Sequence, residues 1–368
     1  MRIFSPAILL IFISCSAATI DLPPSPDHQP AVSDQRFAES IDAARATVEP
    51  LLAEYPGLTV AVAVDGTMVW SDAFGWADVE SRTAATPATI FRLYSSSKAI
   101  TATLAMRMAE QRRLDLDDAI GTYLADLPSE VSSLTLRQLL AHRAGIRHYR
   151  KGEWLSASSK RCTFARDALA PFITDPLVHS PGTKYNYSSF GYVLASAVIE
   201  AAAKGGFYEV LDGQVLSPSG MHATGDEHDA PPQLRATPYE KAGDGVRLAI
   251  RSDSSCKFGA GGLVGTSEDL VRFGVALSEG ELVSPAGLAS LFQAMETAPG
   301  RPGYGLGFTL ESDPELGLLA THSGGALGGR SFLLISPERK IVVALAGNLE
   351  GANLGSASVA IARAFAGE

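Results

Sequence analysis

The chain has 368 residues, of which 46% are hydrophobic and 19% charged, the make-up of a globular protein long enough to bury a sizeable core. A net charge of -10 argues against a nucleic-acid binder, which needs a basic stripe to meet phosphates. Neither a long run of like charges nor a repeat at solenoid spacing occurs.

The N-terminus opens with one arginine, then an apolar run from Ile8 to Ile13 and small residues. The run is too short to span a bilayer and is an export signal, residues 1–18, with cleavage after Ala18. Cys15 directly follows the run and offers a second reading, a lipoprotein signal over residues 1–14 with a lipid anchor on the cysteine. Either reading places the mature protein outside the cytoplasm, in a bacterial periplasm, on an outer membrane or secreted. Residues 19–34 are Pro-rich and polar and read as a tether with nothing to pack. Cys162 and Cys256 remain after processing; in an exported chain they are candidates for a disulfide, and two unpaired buried thiols are the alternative.

An amphipathic helix is expected over residues 34–53, ended by Tyr55-Pro56-Gly57. Leu58 to Val64 then alternates as a strand, Asp65-Gly66 is a hairpin signal, and the chain returns through TMVWSDAFG. Ile100, Leu104 and Met108 recur at helical spacing between Ser95 and Gln111. LTLRQLLAH, residues 163–172 and YVLASAVIEAAAK read as further helices. Strands return late, in YGLGFTL, GLLATHSG, RSFLLIS and KIVVALAGN, and VAIARAFAG closes as a helix. The pattern is α+β: residues 35–120 and 250–368 form one sheet with its helices, and a mainly helical part, 121–249, is inserted between them.

The stretch FRLYSSSK, residues 91–98, carries the first chemical candidate. Residues three apart on a helix share a face, about 5–6 Å apart, so among the three serines Ser95 is the one that meets Lys98. A serine at a helix start has free backbone N–H groups beside it, and a lysine can activate its hydroxyl if burial lowers the amine's pKa. Alone, the pair is weak: a chain of this length holds about one S-x-x-K by chance. A second, Ser254 to Lys257, lies in loop-like sequence and reads as a decoy. Taken alone Ser95 would be a helix cap. No G-x-S-x-G, H-E-x-x-H, Walker loop or G-x-G-x-x-G competes with it.

Two further stretches change that balance. PGTKYNYSSFGY sets Tyr187-Ser188-Ser189 after a Pro-Gly turn, and THSGG, residues 321–325, ends a late strand. With FRLYSSSK they resemble, in order and spacing, the three motifs of serine β-lactamases and penicillin-binding proteins of the class C-like type. AGIRHYR, KFGAGGLVGTSEDLVRF and HSGGALGGRSFLL resemble the branch of mitochondrial β-lactamase-like serine proteases and their bacterial relatives, and the likeness runs from about Phe37 to Phe365.

The resemblance implies a β-lactamase/transpeptidase-like fold and a serine hydrolase without a cofactor or metal, acting on a small-molecule or peptide substrate. Ser95 would be the acylated nucleophile, with Lys98 and Tyr187 sharing the proton transfers; which of them is the base stays open. The backbone N–H groups of Ser95 and Gly325 would hold the oxyanion. Ser189, His322 and Ser323 would contact substrate, and Gly324 would let it approach the strand. Ser189 stands where many relatives carry Asn, and His322 where they carry Lys; both changes weaken the case for an efficient β-lactamase. A peptidase or esterase is therefore the leading expectation, followed by a β-lactamase or a D-alanyl-D-alanine carboxypeptidase. A silent binding or assembly protein is the alternative from another class. His142 and His148 are expected only to cap or pack a helix end and its loop, and no oligomeric state is implied.

Overall fold

The computed structural model describes residues 19–28, 30–153, 161–351 and 353–367. The expected export signal and Cys15 lie outside the described residues. In chain order the strands are β1 Val32–Ser33, β2 Gly57–Val64, β3 Thr67–Asp78, β4 Thr83–Ala84, β5 Phe91–Arg92, β6 Gly225–Asp226, β7 Tyr239–Ala242, β8 Gly245–Leu248, β9 Leu263–Gly265, β10 Gly303–Tyr304, β11 Thr309–Asp313, β12 Gly317–Ala326, β13 Gly329–Ser336 and β14 Ile341–Gly347. The helices are α1 Ala38–Val48, α2 Ser97–Glu110, α3 Ser129–Ser132, α4 Leu136–Leu140, α5 Ser189–Ala203, α6 Phe207–Leu211, α7 Ser267–Ser278, α8 Pro285–Leu291 and α9 Leu354–Ala366. None is long and apolar enough to cross a membrane.

The main sheet is antiparallel, in the order β1-β3-β2-β14-β13-β12-β11-β10, with β4 added on β3. It joins both ends of the chain, because β2 pairs with β14 from Leu58↔Gly347 to Val64↔Ile341. Alternation along these strands separates two cores. Leu58, Val60, Val62, Val343 and Leu345 face α1 and α9, while Ala61, Ala63, Val342 and Ala344 face α2 and α7. The Asp65-Gly66 hairpin forms as expected, with φ of 47° and 76° at its two central residues.

The inserted region is less helical than its sequence reads. α5 is its one long helix among the described residues; residues 163–172 hold only a 3-10 turn over Ala165–Ala168, and β7 and β8 form a separate hairpin. YGLGFTL is broken into β10 and β11 by Gly307, whose φ is +82°.

The Pro-rich segment is no free tether. Ile20 exchanges backbone hydrogen bonds with Val246, β1 pairs with β3 through Val32↔Ser71, and Ile20 and Leu22 pack on the α1–α9 core. An open β3 edge and two apolar residues outweigh the composition of the segment. His28 Nδ1 lies 3.1 Å from the buried Asp72 carboxylate, which Arg45 also reaches at 3.3 Å.

Cys162 and Cys256 are bonded to each other across 94 residues of sequence. Closing so long a loop restricts the unfolded chain, so replacing both cysteines by serine is expected to cost about 2–5 kcal/mol. A guanidinium titration of the oxidised protein and the double variant measures this, and equal midpoints would refute it.

Candidate active site

The nucleophile turn is built on a strained backbone. After β5 the chain enters a 3-10 turn at Tyr94–Ser96 that runs directly into α2. Tyr94 has a φ of +46°, a conformation costing a bulky residue about 1–3 kcal/mol. It is held there by burial and by a short hydrogen bond from its hydroxyl to the Leu327 carbonyl. The three serines then diverge. Ser95 lines the cleft. Ser96 is buried and fastens β12 and β13 to the turn, through the His322 carbonyl at 3.2 Å and the Ser331 hydroxyl at 2.8 Å. Ser97 is buried at the start of α2.

Lys98 is fully buried, and its Nζ lies 3.0 Å from Ser95 Oγ, 3.2 Å from Ser189 Oγ and 2.5 Å from the Ala260 carbonyl. No carboxylate pairs with it among the described residues. Burial, with a smaller contribution from the charge of Lys257, pushes its pKa well below the ordinary lysine range. A neutral amine fits these partners: two N–H bonds point to Ala260 and Ser189, and the lone pair is left for the Ser95 proton.

Tyr187 lies across this group, with the centroid of its ring 5.0 Å from Lys98 Nζ. Burial raises its phenol pKa, and the Ser95 and Ser189 hydroxyls offset only part of that. The phenol is therefore protonated at neutral pH. Ser189 both lines the cleft and touches Lys98, a dual position that its α5 N-terminus provides.

β12 closes the other wall. β11 pairs with β12 only as far as Thr309↔Thr321, so residues 322–326 have β13 on one side and an open edge on the other. Period-2 alternation then sorts the strand motif. Ser323 and Gly325 face the cleft, whereas His322 and Gly324 point inward. This corrects two expectations. His322, 4% exposed, donates from Nδ1 to the Ser323 carbonyl at 2.8 Å and accepts at Nε2 from the Tyr304 hydroxyl at 3.1 Å. Burial lowers its pKa to about 3, so it is a neutral support behind the site. A Cβ on Gly324 would collide with the Leu93 carbonyl and the Ser331 hydroxyl, so this glycine lets the strand, not substrate, come close to the nucleophile turn. A Cβ on Gly325 would stand 2.9 Å from Arg330 Nη1, which lies across it.

Three further residues take part, two of them at a helix end as expected. His142 accepts the Ser188 N–H at Nδ1 and His148 accepts the Ser189 N–H at Nδ1, both at 3.1 Å. They thus orient the start of α5, while the His142 ring packs 4.3 Å from that of Tyr187. Burial lowers the pKa of both, that of His148 to about 4. Their nearness in AHRAGIRHYR was visible in the sequence, but nothing local showed that the loop meets Tyr187. The third is Lys257, whose S-x-x-K reads as a decoy. Ser254 is buried away from the cleft, but Lys257 lines it. The expected loop is a 3-10 element over Ser255–Ala260, tied by Cys256 to Cys162 and giving the Ala260 carbonyl to Lys98. No cluster of three or more metal-ligating side chains occurs among the described residues.

A serine beside a buried lysine and a tyrosine, under the open edge of an antiparallel sheet, is the arrangement of a serine hydrolase with a β-lactamase-like fold. The β-lactamase family model matches residues 44–368, and the chain belongs to that family. The mitochondrial serine beta-lactamase-like protein LACTB of Bos taurus is 27% identical, over 90% of this chain and 80% of its own. Among solved structures, a D-amino acid amidase from Ochrobactrum anthropi SV3 has a TM-score of 0.77 at 22% identity, covering 89% of this chain and 98% of its own. The octameric penicillin-binding protein homologue from Pyrococcus abyssi has a TM-score of 0.75 at 24% identity, covering 86% and 75%. These two establish the fold.

The neutral histidines have a consequence for stability. In the unfolded chain they titrate near about 6.5. Below that pH the unfolded chain binds protons that the folded site refuses, so stability falls as pH drops from about 6.5 toward about 4. The urea midpoint is expected to fall over this range, and to fall less in His322→Gln. An identical pH slope in that variant would contradict a neutral His322.

Proposed function

We propose that the protein hydrolyses acyl substrates through an acyl-enzyme on Ser95, as a peptidase or esterase. The observation that carries this reading is the 3.0 Å contact between Ser95 Oγ and the fully buried, depressed Lys98 amine. Lys98, rather than the raised Tyr187 phenol, is the group able to take a proton at neutral pH.

In the proposed sequence Ser95 Oγ attacks the substrate carbonyl carbon while its proton passes to Lys98 Nζ. The carbonyl oxygen becomes an oxyanion between the N–H groups of Ser95 and Gly325. Tyr187 protonates the departing oxygen or nitrogen and regains a proton from the Lys98 ammonium. The carbon–leaving-group bond breaks, leaving an ester on Ser95. Water then attacks that ester, giving up a proton through the same pair, and the acid product leaves with Ser95 restored. The open edge over residues 322–326 suits an extended, amide-containing substrate, which adds itself as a strand. A relative in fold, the D-amino acid amidase, also acts on amides by its name. With His322 buried and neutral, no cation stands at the start of the strand motif, which places β-lactam hydrolysis behind peptide or ester cleavage.

Intact-mass spectrometry after fluorophosphonate treatment tests this. One adduct is expected, lost in Ser95→Ala and in Lys98→Met; an adduct persisting in Ser95→Ala would move the nucleophile elsewhere. The acylation rate is expected to rise with pH and level off well below about 10, because the base is depressed. A midpoint at an ordinary lysine value would contradict Lys98 as the base. Fast turnover of a chromogenic cephalosporin, exceeding that of esters, would reverse the order of substrates.

A further inference from the structure

Lys257 has no part in the proton transfers above, yet it is a buried cation opening on the reaction cleft. It is 8% exposed, and its Nζ sits 5.5 Å from the centroid of the Tyr94 ring. Its ammonium has no hydrogen-bond or ion-pair partner among the described residues. The two acids that act on it are already engaged: Glu227 pairs with Arg92 at 2.8 Å and Asp253 with His228 at 3.1 Å. A buried amine left unpaired is costly, and a structure that keeps one at the mouth of a reactive cleft holds it for a ligand. The surroundings agree in sign. Among the described residues, Arg150, Lys151, Lys257 and Arg330 line the cleft against the single carboxylate of Glu350, in a chain whose net charge is -10.

The position selects which half of the substrate would carry the negative charge. Tyr187, the proposed donor to the leaving group, lies against Lys98 and His142. Lys257 stacks instead on Tyr94, the residue before the nucleophile. We propose that Lys257 receives a carboxylate carried by the acyl half of the substrate, making this a hydrolase of anionic acyl groups. The inference rests on the acyl-enzyme reading and adds a substrate class to it.

The test compares two 4-nitrophenyl esters of equal chain length, the monoester of adipic acid and the ester of hexanoic acid, on the full chain. The wild type is expected to favour the anionic ester in kcat/KM by roughly tenfold or more, the scale of one charged hydrogen bond. Added salt reduces that preference. In Lys257→Met the ratio is expected to fall to about one, and in Lys257→Arg to persist, since only the charge is kept. Using the ratio removes any change in Ser95 reactivity that the substitution brings through Lys98. A wild-type ratio of one or below overturns the inference, whatever the variants do, and so does a preference that survives in Lys257→Met. Turnover of neither ester, with no fluorophosphonate adduct, would overturn the acyl-enzyme reading and this inference with it.

Discussion

Taking the Lys98 amine out of water is the constraint to which the other parts of the site answer. An exposed lysine would hold its proton at neutral pH and could not act as the base proposed for Ser95. Burial removes that obstacle, and the surroundings must then satisfy the amine without restoring the charge. They do so with two hydroxyls and one carbonyl, and with no carboxylate among the described residues. Each partner comes from a different segment: Ser95 from the turn before α2, Ser189 from the start of α5, Ala260 from the 3-10 element held by the disulfide. The aromatic rings of Tyr187 and Tyr192, 5.0 Å and 5.5 Å from Nζ, complete a low-dielectric wall. The three lowered histidines follow from the same lack of water.

The second constraint is the seating of β12 on the nucleophile turn. Ser96 and Ser331 hold it by hydrogen bonds, and Gly324 lets the backbones meet. The open edge beyond Thr321 can serve a substrate only because its position relative to Ser95 is fixed in this way. Tyr94 pays for that seating with a left-handed backbone, and its hydroxyl reaches the β12–β13 turn to help hold it.

Apolar runs between turn signals made the sheet legible, since Leu58 to Val64 and Ile341 to Gly347 are both mostly apolar and the late strands are long. Helical spacing made the meeting of Ser95 with Lys98 legible too, because it is a local, three-residue relation. Relations between distant segments were less visible. The inward turn of His322 and Gly324 depends on which parity of β12 faces the cleft, and one residue of register reverses it. The place of Lys257 depends on a disulfide partner 94 residues from Cys256, and that of His142 on where a loop crosses α5. The Pro-rich segment misled because composition describes the average residue, while Ile20 and Leu22 do the packing.

The pairing of β2 with β14 also bears on the timing of folding. These neighbours in the centre of the sheet are separated by nearly the whole domain, so during synthesis β2 must wait for the chain's last strand. Until β13 arrives, β12 has no inner partner and the β12–β13 turn, whose Leu327 carbonyl takes the Tyr94 hydroxyl, is not formed. A chain that lacks β13 and β14 is thus without the contacts that seat β12 on the turn carrying Ser95.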